Sequence, residues 1–167
     1  AANILIGSDA GGSITTDQYV TIVGYSSGQY MEAGNGNRYN SYFGATAGYR
    51  GGSGIHQTYI GGEAGLYATG SYNTFVGSQA GKGGTTSAPY SSGQYNTALG
   101  YEALEDFTSG AHNVAIGYQA AAALTTGAEN VALGNTALNA LTTGGTNTAL
   151  GTRAGLVLTE GDSNVFV

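Results

Sequence analysis

A five-residue phrase of alternating polar and apolar positions recurs along the whole chain. In its clearest form it reads Asn-Thr/Val-Ala-Leu/Ile-Gly, at residues 96–100, 113–117, 130–134 and 147–151. The glycines that close these phrases are spaced 17 residues apart, at 100, 117, 134 and 151. Such alternation with β-branched residues is typical of a short strand, and the glycine predicts a turn after it. A fixed period of this length indicates a solenoid, in which each unit buries its apolar face only against its neighbours.

The same period extends to the first residues once insertions are allowed. Glycines at 7, 24, 44, 61 and 77 continue the series, and a large apolar residue precedes each of them. The residue four positions before the glycine is asparagine, except where Val20 and Gln57 replace it. We therefore predict a single repeat array over residues 1–167, with irregular, insertion-bearing units over 1–95 and regular 17-residue units over 96–167.

The predicted fold is an all-β repeat, a parallel β-solenoid or β-roll with one 17-residue coil in each layer. Apolar residues lie 3, 4 and 7 positions after the repeat glycine in the later coils, as in Ala103, Leu104 and Phe107, and this spacing predicts short helical turns there. Seven positions before each repeat glycine lies a residue type that tolerates positive φ, which predicts left-handed backbone at that point. These residues are Asp17, Asn37, Gly54, Gly70, Gly93, Gly110, Gly127, Gly144 and Gly161.

The asparagine column predicts a structural ladder. Identical amides in successive layers can hydrogen-bond along the axis, as they do in cross-β stacks, although each asparagine can instead begin its own turn. The predicted ladder consists of Asn3, Asn40, Asn73, Asn96, Asn113, Asn130, Asn147 and Asn164.

Two units are longer than the period, at residues 28–39 and 82–95. Insertions in a repeat protein map to loops on one face, and that face often binds. Tyrosine suits sugar rings and protein partners because it offers a flat apolar face and a hydroxyl. The predicted receptor-binding residues are Tyr30, Arg38, Tyr39, Tyr90 and Tyr95. Tyr42, Tyr59 and Phe75 fill the position that alanine takes in later coils, and we expect them to pack in a wider cross-section or at a subunit interface.

Composition excludes several classes of protein. Charged residues are 8% of the chain against about 25% in typical domains, while 41% of residues are hydrophobic, so the chain is expected to be ordered. Four basic residues and a net charge of −6 leave no cationic surface for nucleic acid or anionic lipid. No apolar run approaches the length of about 20 residues that membrane insertion needs. The absence of cysteine excludes disulfides and thiolate metal sites.

No catalytic, metal or cofactor site is predicted. His56 and His112 share a column with Tyr72 and Tyr95, which favours packing or a surface position over a general base. The acidic cluster of residues 102–106 is expected to be a solvated edge. A calcium-binding β-roll needs an aspartate in nearly every unit, and the four aspartates share no column. Residues 81–86 resemble a phosphate loop only superficially and are expected to be a flexible insertion.

The repeat phrase also carries a family resemblance. At residues 96–103, 113–120 and 142–144 the pattern Thr-Thr-Gly-x-x-Asn-Thr-Ala-Leu/Ile-Gly-Tyr-Gln/Glu-Ala-Leu resembles repeats of bacteriophage tail fibres and related bacterial surface fibres. It is similar in style to the head repeats of trimeric autotransporter adhesins. The resemblance covers nearly the whole chain and is close from about Asn73 onward. It implies an extended homotrimeric host-attachment fibre, extracellular or on a virion surface, without an active site in this segment and with a host-surface glycan or protein as receptor.

Other interpretations remain open. Neither end shows a polar capping unit, so we expect a fragment of a longer fibre. An ice-binding or glycan-binding solenoid is the main alternative, because Thr21, Thr58, Thr74, Thr97 and Thr148 share one column, although Ile4, Val114 and Val131 interrupt it. A polysaccharide depolymerase with a carboxylate pair between neighbouring layers is the third.

Overall fold

The computed structural model describes residues 2–31 and 38–167 of the chain. Its regular elements there are ten short strands, which pair in parallel in the order of the chain to form one sheet. The strands are β1 (Ile4–Ile6), β2 (Thr21–Val23), β3 (Ser41–Phe43), β4 (Thr58–Ile60), β5 (Thr74–Val76), β6 (Thr97–Leu99), β7 (Val114–Ile116), β8 (Val131–Leu133), β9 (Thr148–Leu150) and β10 (Val165–Phe166). The predicted parallel β-solenoid is thus confirmed.

The strands pair position by position. Ala98 at the middle of β6 lies beside Ala115 at the middle of β7, and the same register holds across the first insertion, where Ile22 pairs with Tyr42. From β2 to β9 the middle residue of each strand is buried, whereas the first and third residues face outward. The alternation seen in the sequence therefore gives a sheet with one face in the core and one on the surface.

The predicted helical turns are wrong. The segments that follow the strands are turns without helix in the described residues, and Glu102 and Leu104 have φ angles of 53° and 56°. Two left-handed residues so close together are incompatible with a right-handed helix. Ala103, Leu104 and Phe107 are nonetheless fully buried, so the apolar spacing identified the core side of the turn but not its backbone.

In several coils, a large residue at one of two core positions is matched by a small residue at the other. These two positions are the middle residue of the strand and the residue six positions later. In β4 the large Tyr59 is followed by Gly65, where a Cβ atom would lie 2.5 Å from the Tyr59 ring. In β6 the small Ala98 is followed by Leu104, and both are buried. The same exchange relates Tyr42 to Gly48, Phe75 to Gly81 and Ala132 to Leu138.

The large residues of this exchange form a stack inside the solenoid. Tyr42, Tyr59 and Phe75 are fully buried, with ring centroids 5.1 and 5.0 Å apart and nearly parallel planes. The expectation that they pack within a wider cross-section is confirmed, and the alternative of a subunit interface is wrong because the chain itself covers them. Burial raises the pKa of the Tyr59 hydroxyl, so this group stays neutral.

The predicted asparagine ladder is continuous from Asn73 to Asn164. The backbone N–H of Asn113 donates to Oδ1 of Asn96 at 2.9 Å, and its Nδ2 donates to the carbonyl of Gly127 at 2.9 Å. Asn130 repeats both contacts one coil later, with Asn113 and Gly144 as acceptors. The interpretation as a ladder along the axis is the one that these contacts support, since they join Asn113 and Asn130 to the asparagines of neighbouring coils and to the turn of the following coil and not to their own turns.

Earlier units use the same position with more variation. Oδ1 of Asn3 accepts the backbone N–H of Val20 at 3.2 Å, and Oδ1 of Asn40 accepts that of Gln57 at 2.9 Å. Gln57 then donates from Nε2 to the carbonyl of Gly70 at 2.7 Å. Glutamine therefore makes the same contact to the next turn that asparagine makes elsewhere.

The glycines that receive these amides are needed for close approach rather than for backbone conformation. The prediction of left-handed backbone seven positions before the repeat glycine is wrong for the described members of that column other than Gly161, whose φ is 125°. Asn37 lies outside the described residues. A Cβ atom at Gly93 would overlap the carbonyl oxygen of Gly110, because successive turns stack directly on one another.

We predict that Gly65→Ala lowers the free energy of unfolding by about 2–5 kcal/mol. The substitution forces a side chain into left-handed backbone at φ 60° and against the buried Tyr59 ring. Gly62→Ala is the control, because its Cβ would meet nothing within 4 Å, and a change within about 1 kcal/mol is expected. Denaturant unfolding followed by circular dichroism measures both, and equal effects would contradict the proposed exchange of volume.

We predict that Asn113→Ala lowers the free energy of unfolding by about 3 kcal/mol or more. It removes the acceptor of the Asn130 N–H and the donor to the Gly127 carbonyl, and each unpaired buried group costs about 1–3 kcal/mol. Asn135→Ala, at an exposed position in the next coil, is the control and is expected to change the free energy of unfolding by no more than about 0.5 kcal/mol. Thermal unfolding of the two variants measures both changes in stability. A small loss of stability in Asn113→Ala would show that the ladder is not a main source of stability.

Candidate functional site

The two insertion-bearing units converge on one guanidinium group. The Cζ atom of Arg50 lies 4.2 Å from the ring centroid of Tyr30, 5.5 Å from that of Tyr49 and 5.7 Å from that of Tyr90. Tyr67 extends the group, since its ring stacks on Tyr90 with centroids 6.0 Å apart. We call these five residues the Arg50 cluster. Two of the predicted receptor-binding residues, Tyr30 and Tyr90, are thus brought together from units far apart in the chain.

Backbone hydrogen bonds between coils hold the cluster in place. The N–H of Tyr30 donates to the carbonyl of Tyr49 at 2.9 Å, and the N–H of Tyr67 donates to that of Lys82 at 2.8 Å. The N–H of Ser91, the residue after Tyr90, donates to the carbonyl of Tyr67 at 3.0 Å. The second insertion is therefore fastened to the body of the solenoid beside Tyr90, and also at Lys82, which lies in the segment 81–86 that was expected to be flexible.

The cluster lies on the side of the coil away from the sheet. A Cβ atom at Gly51, the residue after Arg50, would lie 2.8 Å from the hydroxyl oxygen of Tyr42. Tyr42 points inward from β3, so its ring spans the core and its hydroxyl reaches the opposite wall. A partner that covers the sheet therefore leaves the Arg50 cluster accessible.

The positive charge of Arg50 is not neutralised within the described part of the chain. Ion pairs there join Arg38 to Asp17, and Lys82 to Glu63 and Glu105. Arg50 instead contacts aromatic rings, which attract a cation through their quadrupole by about 0.5–2 kcal/mol. Burial is the largest of the effects that raise the pKa of the Tyr49 hydroxyl.

Sequence reasoning overlooked Arg50, although a signal was present. Tyr30, Arg50 and Tyr67 each lie six positions after a repeat glycine, at 24, 44 and 61. In a solenoid, equal offsets stack in space. The column could therefore have been found by aligning the units on their glycines, whereas the contribution of Tyr90 depends on the path of the insertion.

The prediction that Arg38 contacts a receptor is wrong. Its side chain is fully buried, with Nε 2.6 Å from Oδ1 of Asp17 and Nη1 2.7 Å from the carbonyl oxygen of Gly52. The attraction between the two charges offsets part of the free-energy cost of taking both of them out of water. Arg38 is a structural residue of the core, and Arg50 provides the exposed guanidinium in this region.

Tyr39 and Tyr95 belong to a different surface feature, a column of stacked rings beside the sheet. Successive ring centroids are 4.8 to 5.2 Å apart, and the planes are within 12° of parallel. Each residue of the column has a φ angle between 55° and 62°. The column consists of Tyr19, Tyr39, His56, Tyr72, Tyr95 and His112. The sequence interpretation of His56 and His112 as members of this column agrees with their positions.

The ring column offers edges rather than faces to a ligand. Tyr39 lies between Tyr19 and His56, so both of its faces are covered although its exposed fraction is 49%. Tyr95 is covered in the same way by Tyr72 and His112 and borders a depression of about 280 Å³. The flat surface that would stack on a sugar ring is therefore unavailable at these two predicted sites.

The acidic residues of the later coils form polar contacts of their own. Glu102 accepts a hydrogen bond from Nε2 of Gln119 at 2.6 Å, and hydrogen bonds from Tyr101 and Gln119 lower the pKa of its carboxyl. Glu105 lies 3.4 Å from Nζ of Lys82, while burial raises the pKa of its carboxyl. Over residues 2–31 and 38–167, no group of three His, Cys, Asp or Glu residues is arranged to hold a metal ion. The same residues contain no helix with the length and hydropathy of a membrane span.

The outer face of the sheet carries two parallel columns. The first residue of each strand is a hydroxyl residue in five consecutive coils, from Thr21 to Thr97, and valine follows in β7 and β8. The third residue of strands β1 to β9 is large and apolar, and several of these residues are exposed by 40% or more. The most exposed are Ile6, Phe43, Ile60, Leu99, Leu133 and Leu150. An uncovered apolar row that runs along the whole solenoid is unusual for a monomeric protein.

Comparisons with protein-family models, with curated proteins and with solved structures find no significant match.

Proposed function

We propose that this chain is a structural and host-attachment segment of an extended homotrimeric fibre, such as a phage tail fibre or a surface adhesin. The observation that carries the proposal is the exposed apolar row on the outer face of the sheet. A stacked array of coils supplies a rigid rod, and the apolar row supplies a surface by which rods associate along their length.

The apolar row favours association of identical chains. Its members recur once in each coil and at the same register, so a second copy meets an equivalent row along its entire length. The number of three chains follows from the resemblance of the repeat phrase to trimeric fibres. Packing the sheets around a common axis leaves the opposite side of each coil, with the Arg50 cluster, facing outward.

The proposed attachment role rests on the convergence of the two insertion-bearing units. Insertions are where a repeat protein departs from the minimum needed for stacking. Here the second insertion brings Tyr90 to the column that contains Tyr30 and Arg50. The proposal places the protein outside the cell or on a virion surface, with a host glycan or protein as receptor. It assigns no catalytic step to this segment.

The proposal predicts a solution mass of about 50 kDa, three times the 16.7 kDa of one chain, by light scattering. Replacing both Leu99 and Leu133 with glutamine is expected to give monomers that keep the circular dichroism spectrum, because both side chains point away from the core. Val157→Gln is the control, since Val157 is 85% exposed but lies outside the sheet.

A monodisperse wild-type monomer would contradict the fibre proposal. Glutamine variants that remain trimeric would show that the association surface lies elsewhere on the coil. The Val157→Gln variant separates a specific effect of the apolar row from a general effect of removing surface hydrophobicity.

An ice-binding solenoid is the second candidate, favoured by the uninterrupted hydroxyl column from Thr21 to Thr97 on an outward-facing sheet. Such a face would have to be free in solution, so this candidate requires a monomer. Thermal hysteresis in a dilute solution of the protein would support it. Absence of hysteresis at millimolar concentration would remove it.

A further inference from the structure

We propose that the Arg50 cluster binds a saccharide residue that carries a carboxylate, such as a uronic or sialic acid. The inference deepens the attachment role proposed above and rests on it for its biological setting. The binding chemistry itself depends only on residues of one chain, because Tyr30, Tyr49, Arg50, Tyr67 and Tyr90 all come from the same solenoid.

The guanidinium group selects the carboxylate. Arg50 contacts rings and has no acidic partner within 4.0 Å among the described residues, whereas Lys82 is engaged by Glu63 and Glu105. A guanidinium held against an aromatic ring keeps N–H groups at its edge, and their planar fork matches the two oxygens of a carboxylate. The charge of Arg50 is thus oriented by the protein before any ligand arrives.

The surrounding tyrosines select a sugar rather than an isolated anion. Tyr30 is 43% exposed, and Tyr49, Tyr67 and Tyr90 are half-buried around the same cation. Their rings offer apolar surface to the C–H groups of a pyranose, and their hydroxyls offer hydrogen-bond partners to its hydroxyl groups. Arg50 lies over the ring of Tyr30, and Tyr67 stacks on that of Tyr90, whereas Tyr39 and Tyr95 are each stacked between two neighbouring rings.

The charge of the chain limits how acidic the ligand is. With a net charge of −6, the protein repels a dense polyanion, and one arginine neutralises one charge. A phosphate monoester carries a charge of about −1.5 to −2 at neutral pH, so part of its charge stays unneutralised by Arg50 and is repelled by the acidic chain. The single charge of a carboxylate is neutralised in full. A single carboxylate on an otherwise neutral sugar is the ligand that fits both the site and its surroundings.

The test is a titration of the folded chain, followed by NMR chemical shifts, with three probes: methyl β-D-glucuronide, methyl β-D-glucoside and glucose 6-phosphate. The glucuronide is expected to bind most tightly, and its affinity is expected to fall about tenfold or more in Arg50→Gln. Arg153→Gln removes another exposed cation, in a distant coil, and is expected to leave the affinity unchanged.

A second variant tests whether weaker binding can be separated from loss of the folded structure. Tyr90→Leu removes a ring from the insertion without touching the buried stack, and it is expected to weaken glucuronide binding while the circular dichroism spectrum is retained. Equal affinity for the glucuronide and the glucoside, tighter binding of the phosphate, an unchanged affinity in Arg50→Gln, or no binding by the wild-type chain would each overturn the inference.

The outcome is separable from that of the fibre proposal. A monomer that binds the glucuronide through Arg50 would uphold this site and contradict the trimeric fibre. A trimer that binds none of the probes would overturn this site and leave the fibre standing.

Discussion

Direct stacking of each coil on the next is the constraint from which the rest of the structure follows. Parallel strands lie about 4.8 Å apart, so every residue has the equivalent residue of the next coil as its neighbour. Asparagine suits this arrangement because its amide both donates and accepts, and Asn113 uses both capacities, as acceptor for Asn130 and as donor to Gly127. Glycine is needed where the chain of the next coil approaches closely, as at Gly93.

The same constraint explains how the cross-section changes along the rod without losing register. A large ring at the middle of a strand requires glycine six positions later, as in Tyr59 and Gly65, and an alanine there permits leucine, as in Ala98 and Leu104. The core volume is therefore distributed differently between the two walls in different coils. Strand pairing continues unchanged across both insertions, since Ile22 pairs with Tyr42 and Phe75 pairs with Ala98.

The two surfaces with functional potential lie on opposite sides of the coil and differ in chemistry. The sheet presents hydroxyl and apolar columns, which suit association with a regular surface such as another copy of the chain. The opposite side presents the Arg50 cluster, to which the second insertion adds Tyr90 and whose positive charge has no acidic partner in the described chain. In the column of stacked rings that contains Tyr39 and Tyr95, neighbouring rings stabilise the rod but cover the ring faces on which a ligand would stack.

The sequence by itself determined the period, the strands, their parallel order and the asparagine ladder, because these depend on one set of contacts that is repeated in every coil. Only the tertiary structure decided the features that join non-equivalent positions. The apolar spacing around Leu104 is the same in a helix and in a turn with left-handed residues, and only close stacking selects the turn. Likewise, only the structure distinguishes the two arginines of this region. Arg38 is buried in an ion pair with Asp17, whereas Arg50 contacts the ring of Tyr90, which belongs to the second insertion. Contacts between different columns depend on the path of the chain in three dimensions, and a repeat pattern does not encode that path.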